Sequence, residues 1–130
     1  MTTGEMVTKE IAADGWADFF DAFGRRHDGW LVTIEVLGEL GAQVEAEDQA
    51  LRGTVAETRG GATEIQIMTG NVPEHTFTHL IERPKRVWVE ETEEGAEAAI
   101  QIESENHGTT ILRLRSAALP ETVDGVAPER

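Results

Sequence analysis

Hydrophobic residues recur with a helical period in the first part of the chain. Four aromatic residues are spaced i, i+3, i+4 and i+7 and therefore share one helical stripe: Trp16, Phe19, Phe20 and Phe23. Asp14 is a suitable N-cap residue, and Gly29 occupies a position at which a left-handed glycine commonly ends a helix. The pattern predicts one amphipathic helix over residues 14–28, with its aromatic stripe buried.

From Trp30 onward the hydrophobic period changes to two, which is typical of strands with one buried face. The first predicted strand covers residues 30–38. Further strands are predicted at residues 42–47, 51–58, 64–69, 76–81, 86–91, 99–104 and 110–116. Pro84 lies between two of these segments and predicts an edge position or a bulge there. Short strands at this spacing, without helical patterns between them, favour antiparallel neighbours.

Together these elements predict an α+β fold, in which an N-terminal amphipathic helix packs on a bent antiparallel sheet of about six to eight strands. A half-open barrel with the helix over one mouth is one arrangement of such a sheet. A chain of 130 residues suits a single domain, which we expect over residues 11–118. Residues 1–10 are expected to form a flexible N-terminus, and residues 119–130 a flexible acidic C-terminal tail, because both carry little periodicity.

The composition is strongly acidic, with 25 Asp and Glu residues against 11 Lys and Arg residues and a formal net charge of −14 at pH 7. A nucleic acid duplex or an anionic membrane repels such a chain at long range, so neither is an expected partner. No apolar stretch approaches the roughly 20 residues that span a bilayer. The segment 1–10 also lacks the apolar core of a signal peptide, so the expected location is the cytoplasm.

Few residues are available for nucleophilic catalysis. The chain has no cysteine, which removes disulfides, thiolate metal sites and cysteine nucleophiles. Ser104 and Ser116 do not lie in a G-x-S-x-G turn, and no glycine-rich phosphate loop is present, so we expect no cofactor. Glu35, which lies opposite the buried face of the first strand, is a candidate for acid/base catalysis. Its alternative role is that of a solvent-facing residue.

Two histidines have a spacing that resembles a metal motif. His75 and His79 would share one face of a helix and could ligate zinc, but the intervening residues favour a strand. Four residues of strand span about 13 Å, whereas each zinc ligand nitrogen lies about 2.1 Å from the metal. The preferred interpretation is therefore two histidines that flank Phe77 on one face of a sheet, with a metal site at His75 and His79 as the alternative.

Arginines and a tryptophan mark a candidate surface for a ligand or a protein partner. Arg83 and Arg86 flank Pro84, while Arg113 and Arg115 alternate along the last predicted strand. The competing interpretation is cross-strand pairing with polar residues of the preceding strand, namely Gln101, Glu103 and Glu105. Trp88 lies either on the outer face of the sheet or next to a register shift at Pro84. An exposed Trp88 would indicate a binding surface.

Several segments together resemble an uncharacterised family of short prokaryotic proteins, a domain of unknown function. They are the aromatic stripe of the helix, the junction Gly29–Val32, the segment Ile81–Pro84, the acidic hairpin Glu90–Gly95 and the terminal residues Ala118, Leu119 and Pro120. The resemblance implies a free-standing prokaryotic domain. It transfers no catalytic or binding residue, because these are hydrophobic and turn positions.

The function is therefore inferred by elimination. The leading hypothesis is a non-catalytic domain that binds a protein or a small ligand, with a second copy of itself or another protein as partner. Two alternatives stay open, each with a site in the barrel mouth: a small acid/base enzyme and a metal-binding protein with His and carboxylate ligands. A deep pocket with a desolvated carboxylate would favour the enzyme, and a shallow surface with an apolar contact would favour the interaction domain.

Overall fold

A computed structural model describes residues 6–72, 74–105 and 108–115. Its elements, in chain order, are strand β1 (Met6–Ile11), a 3-10 turn (Ala13–Gly15), helix α1 (Trp16–Arg26) and strands β2 (Leu31–Gly38), β3 (Gly41–Arg59), β4 (Ala62–Thr69), β5 (Phe77–Glu82), β6 (Pro84–Thr92), β7 (Glu97–Ser104) and β8 (Thr109–Leu114). The strands form an antiparallel sheet in the order β1-β6-β7-β8-β2-β3-β4-β5. An antiparallel sheet with one short helix agrees with the sequence pattern, and the sheet is not closed.

Strand β1 is an element that the hydrophobic pattern does not predict. It lies mostly within the segment that we expected to be flexible, and α1 is consequently preceded by a strand. The strand pairs with β6 from Met6 opposite Thr92 to Ile11 opposite Val87. Because Ile11 alone packs partly against the core, β1 depends mainly on backbone pairing, which leaves little trace in hydrophobic periodicity. The expected C-terminal tail, residues 119–130, lies outside the described residues.

Strand β3 joins two segments that the pattern predicts as separate strands. Its first half pairs with β2 and its second half with β4. Between them, Asp48 has a φ of 51°, and the register with β4 shifts between Leu51 and Gly53. Such bulges bend a strand and change which residues face the core. Leu51 and Thr54 are accordingly both buried although they are three residues apart, which makes one strand resemble two in sequence.

Helix α1 packs against β3 through its aromatic stripe. Phe20 and Phe23 are fully buried, and full burial of each ring contributes about 1.5–3 kcal/mol. The core combines these rings with aliphatic side chains from seven strands; its buried members are Trp16, Phe20, Phe23, Val32, Ile34, Leu51, Ile65, Ile67, Ile81, Val87, Ile100, Ile102, Leu112 and Leu114. The helix begins after Asp14, which lies in the 3-10 turn, so Gly15 and not Asp14 is the N-cap.

A single residue, Arg83, connects β5 at one end of the sheet with β6 near the other end. Its φ is 54°, a left-handed conformation that turns the chain sharply. The Arg83 backbone N–H donates to the Thr63 carbonyl at 3.3 Å, and its carbonyl accepts from the Glu105 N–H at 3.1 Å. So short a connection requires the sheet to be strongly bent. The register shift between Pro84 and Arg86 agrees with the bulge predicted at Pro84.

The contact between α1 and β3 leaves no room for a side chain at Gly24. A Cβ added there would lie 2.8 Å from the Thr54 backbone nitrogen, and the Thr54 hydroxyl also donates to the Phe20 carbonyl. We expect Gly24→Ala to destabilise the protein by about 1–2 kcal/mol, because the steric cost exceeds the gain of about 1 kcal/mol in helix propensity. Thermal unfolding should show a Tm lowered by several degrees.

Gly15→Ala is the matched control for this substitution. A Cβ at Gly15 would meet only the Ile11 side chain, at an ordinary contact distance of 3.9 Å. An unchanged or raised Tm for Gly24→Ala would contradict the tight contact between helix and strand.

Candidate functional site

The face of the sheet opposite α1 collects most of the residues that the sequence pattern singles out as a binding surface. We call it the outer face, and it comprises Arg86, Trp88 and Glu90 on β6, Gln101 and Glu103 on β7, Ile111 and Arg113 on β8, and Glu35 and Leu37 on β2. These positions alternate with buried residues such as Val87, Val89 and Ile102. In register, Trp88 lies opposite Gln101, Gln101 opposite Ile111, and Ile111 opposite Glu35. The outer face is therefore continuous across four strands.

Trp88 is the largest apolar side chain on this surface. It is half-buried, and Val87 and Val89 on either side of it are fully or almost fully buried, so Trp88 points away from the core. The guanidinium carbon of Arg86 lies 5.9 Å from the centroid of the Trp88 ring. This geometry permits a cation–π interaction, which holds the arginine beside the ring. Trp88 thus occupies the outer face, the first of the two positions that its sequence context leaves open.

The other arginines of the predicted surface are distributed differently. Arg113 lies on the outer face, and its Nε is 3.7 Å from Glu35 Oε1 on β2. On the preceding strand, β7, the residue opposite Arg113 is Ala99. Arg113 therefore forms its ion pair with β2, and not with the polar residues of β7. Arg83 lies at the bend between β5 and β6, 3.9 Å from the Glu105 carboxylate, and Arg115 lies just beyond the end of β8. Only Arg86 and Arg113 share the outer face with Trp88.

Glu35, the candidate acid, is the ion-pair partner of Arg113 on the outer face. Its side chain is 27% exposed. It is not among the residues that line three clefts of about 630, 330 and 180 Å³. The geometry places Glu35 on the outer face, beside Arg113.

The two histidines of the predicted metal motif occupy different environments. His79 lies on β5 opposite Ile67, on the concave side of the sheet, and is half-buried. His75 precedes the strand, is exposed, and donates its backbone N–H to the Val72 carbonyl at 3.0 Å. A small cleft of about 180 Å³ includes His79 and Phe77. Within the described residues, no group of three or more His, Cys, Asp or Glu side chains could hold a metal ion.

A polar cluster at the end of α1 is absent from the sequence predictions. Arg26 Nη2 lies 2.7 Å from each carboxylate oxygen of Glu97, whose side chain is only 11% exposed. His27 is buried beside them, with Nε2 at 3.7 Å from Glu97 Oε1. Its Nδ1 lies 2.9 Å from the Phe23 carbonyl, so the neutral tautomer with a proton on Nδ1 donates there. The cluster ties the C-terminal end of α1 to the start of β7.

Burial lowers the pKa of His27. Desolvation is the largest effect, and it outweighs the opposing effects of the Phe23 carbonyl and the Glu97 carboxylate; the Arg26 charge lowers the pKa further. The ring is also enclosed by aromatic side chains, with its centroid 4.4 Å from that of Phe23 and 4.8 Å from that of Trp30. His27 is therefore a neutral structural residue at pH 7. The only sequence feature that points to His27 is its place in the last predicted turn of the helix. Its contact with Glu97 leaves no sequence pattern, because the two residues are far apart along the chain.

The lowered pKa predicts that acid weakens the fold. Unfolded histidine has a pKa of about 6.5, so the His27 contribution is fully present above that pH and is lost as the pH falls through the lower pKa of the folded state. We expect the free energy of unfolding, measured with urea, to decrease between about pH 7.5 and about pH 5.5. His27→Gln should be less stable at the higher pH and show a smaller decrease.

His75→Gln provides the control, because it removes an exposed histidine. This variant should keep the wild-type pH dependence. The same decrease in wild type and His27→Gln would show that other groups cause it.

The fold and its surfaces define an α+β domain with one short helix against an antiparallel sheet and a broad uncovered face. The chain belongs to DUF5335, a family of unknown function, whose family model matches residues 7–122. This confirms the resemblance seen in the sequence. Searches of curated proteins and of solved structures found no match. Among the described residues, no helix has the length and apolar character needed to span a membrane.

Proposed function

We propose that this protein is a non-catalytic interaction domain that forms a homodimer through its outer face. The observation that carries the proposal is Trp88, a half-buried indole that lies beside Arg86 on the side of the sheet that faces away from the core. Tryptophan and arginine are the residue types most enriched among those that dominate binding energy in protein interfaces. We also propose that the bent sheet forms a half-open barrel with the amphipathic helix over one mouth. The proposed location of the protein is the cytoplasm of a prokaryote.

Other apolar residues on the same side of the sheet as Trp88 support contact with a protein surface. Ile111 is half-buried near the centre of the face, and Leu37 is 39% exposed at one end. Val44, on the neighbouring strand opposite Glu35, is 54% exposed. Across the strands these apolar side chains alternate with Gln101 and Glu35. A mixture of apolar and polar side chains of this kind is typical of non-obligate protein interfaces.

Charge favours a second copy of this chain as the occupant. The outer face carries two arginines, Arg86 and Arg113, against three glutamates, Glu35, Glu90 and Glu103. Glu10 on β1, opposite Trp88, adds a further acid at its edge. The face is thus only weakly negative, although the whole chain has a net charge of −14. Two copies meet there with less repulsion than elsewhere, and a two-fold axis can place the arginines of one copy against the glutamates of the other.

Sedimentation equilibrium over a range of concentrations tests the dimer. Wild type should sediment as a dimer, and Trp88→Ser as a monomer at the same concentration, because the largest apolar side chain of the outer face is lost. Arg113→Glu should also weaken the dimer, since it replaces attraction across the axis with repulsion. Circular dichroism should show both variants folded.

Val55→Ser is the control, because Val55 is 38% exposed on β3, outside the outer face. It should leave the dimer intact. A monomeric wild type, or a Trp88→Ser dimer as stable as that of the wild type, would disprove association through the outer face.

A further inference from the structure

A cleft of about 330 Å³ between the end of α1 and strand β3 brings opposite charges together. Its lining includes Asp21 and Arg25 on α1, Asp28 just beyond the helix, and Arg52 on β3. Binding sites for small molecules have volumes of about 300–1,000 Å³, so this cleft suits a ligand with few heavy atoms. It shares no residue with the outer face.

Apolar side chains form another part of the lining. Val55 on β3 is 38% exposed, and Met68 on β4 is half-buried. Gly53 lies beside them, and a Cβ added there would lie 3.3 Å from the Met68 terminal methyl carbon. The absence of a side chain at residue 53 therefore leaves room for Met68 in the cleft. An aliphatic group of a ligand can pack against Val55 and Met68 and be removed from water.

Arg52 offers hydrogen-bond donors to an anionic group. Its Nε donates to the Gly70 carbonyl at 2.9 Å, which orients the guanidinium. A guanidinium has five N–H donors, and those of the two terminal nitrogens of Arg52 have no acceptor among the described residues. Guanidinium binds carboxylate through two parallel N–H groups. Arg52 is therefore suited to the carboxylate of a ligand.

Asp28 offers a negative charge to an ammonium group. It follows the end of α1, where the helix dipole favours cations. The arginines of the last helical turn are engaged elsewhere, since Arg25 lies 3.0 Å from the Asp21 carboxylate. Arg26 lies 2.7 Å from the Glu97 carboxylate. Within the part of the chain that the structure describes, Asp28 forms no ion pair, so an ammonium group would meet an unpaired carboxylate there.

We propose that this cleft binds a free α-amino acid with an aliphatic side chain. The ligand carboxylate binds Arg52, its ammonium group binds Asp28, and its side chain packs on Val55 and Met68. A zwitterion suits the cleft because the two acidic and two basic residues of the lining balance each other. The net charge of −14 repels a purely anionic ligand at long range, but it does not repel a neutral one. This function is additional to the outer-face dimer.

Titration of the ¹⁵N-labelled full chain with L-leucine tests the site. Millimolar L-leucine should shift the amide signals of Gly53 and Thr54, which line the cleft, in a saturable manner. L-leucinamide lacks the carboxylate and N-acetyl-L-leucine lacks the ammonium group, so each should bind about tenfold more weakly. Glycine should also bind more weakly, because it has no aliphatic side chain.

Substitutions assign each end of the ligand to a residue. Arg52→Gln should weaken the binding of L-leucine about tenfold and leave that of L-leucinamide unchanged, because L-leucinamide has no carboxylate. Asp28→Asn should weaken the binding of L-leucine by a similar factor and leave that of N-acetyl-L-leucine unchanged. This crossed pattern separates direct contact with the ligand from a general effect on the fold. Circular dichroism should show both variants folded.

Arg59→Gln and Asp18→Asn are the matched controls. Both residues are exposed and do not line the cleft. These variants carry the same changes of charge as the two test variants. They should bind L-leucine as wild type does.

Three results would overturn the proposal. They are the absence of saturable shifts with L-leucine, equally tight binding of either single-charge analogue, and unchanged binding of L-leucine by both Arg52→Gln and Asp28→Asn. The Trp88→Ser variant should bind L-leucine as wild type does, so failure of the outer-face dimer and failure of the amino-acid site are distinguishable.

Discussion

The close packing of α1 on β3 is the contact on which the rest of the structure depends. Gly24 allows the helix backbone to approach Thr54 so closely that Phe20 and Phe23 reach the concave side of the sheet. The bulges of β3 provide the matching bend, because they turn the strand from its pairing with β2 to its pairing with β4. With the helix on the concave side, the opposite side of the sheet is left to solvent or to a partner.

The direction of the helix then fixes the polar contacts at its end. Arg26 reaches Glu97 and His27 becomes buried between aromatic rings only because α1 ends beside the start of β7. A similar ion pair, Lys9 with Glu91 at 3.1 Å, holds β1 to β6. These pairs engage scarce positive charges within the fold. Because the chain has 25 Asp and Glu residues against 11 Lys and Arg residues, most acidic side chains have no basic residue to pair with, and negative charge predominates on the surface.

Periodicity predicted elements whose stability comes from side-chain burial. The aromatic stripe identified α1, and alternating residues such as Val32 and Ile34 identified β2. Periodicity did not reveal β1, which depends mainly on backbone pairing, or the continuity of β3, whose bulges shift the phase of burial. The cluster of Arg26, His27 and Glu97 was equally hidden, because contacts between residues so far apart in sequence are created by the fold.

The sequence singled out Trp88, Arg86 and Arg113 as surface residues, but their common face follows from the register of β6, β7 and β8. Each of the strands β6, β7, β8 and β2 has a neighbour on both sides, so the backbone groups of this face are engaged within the sheet. A partner on the outer face would therefore be recognised through side chains that fit a matching surface, and not through added backbone pairing.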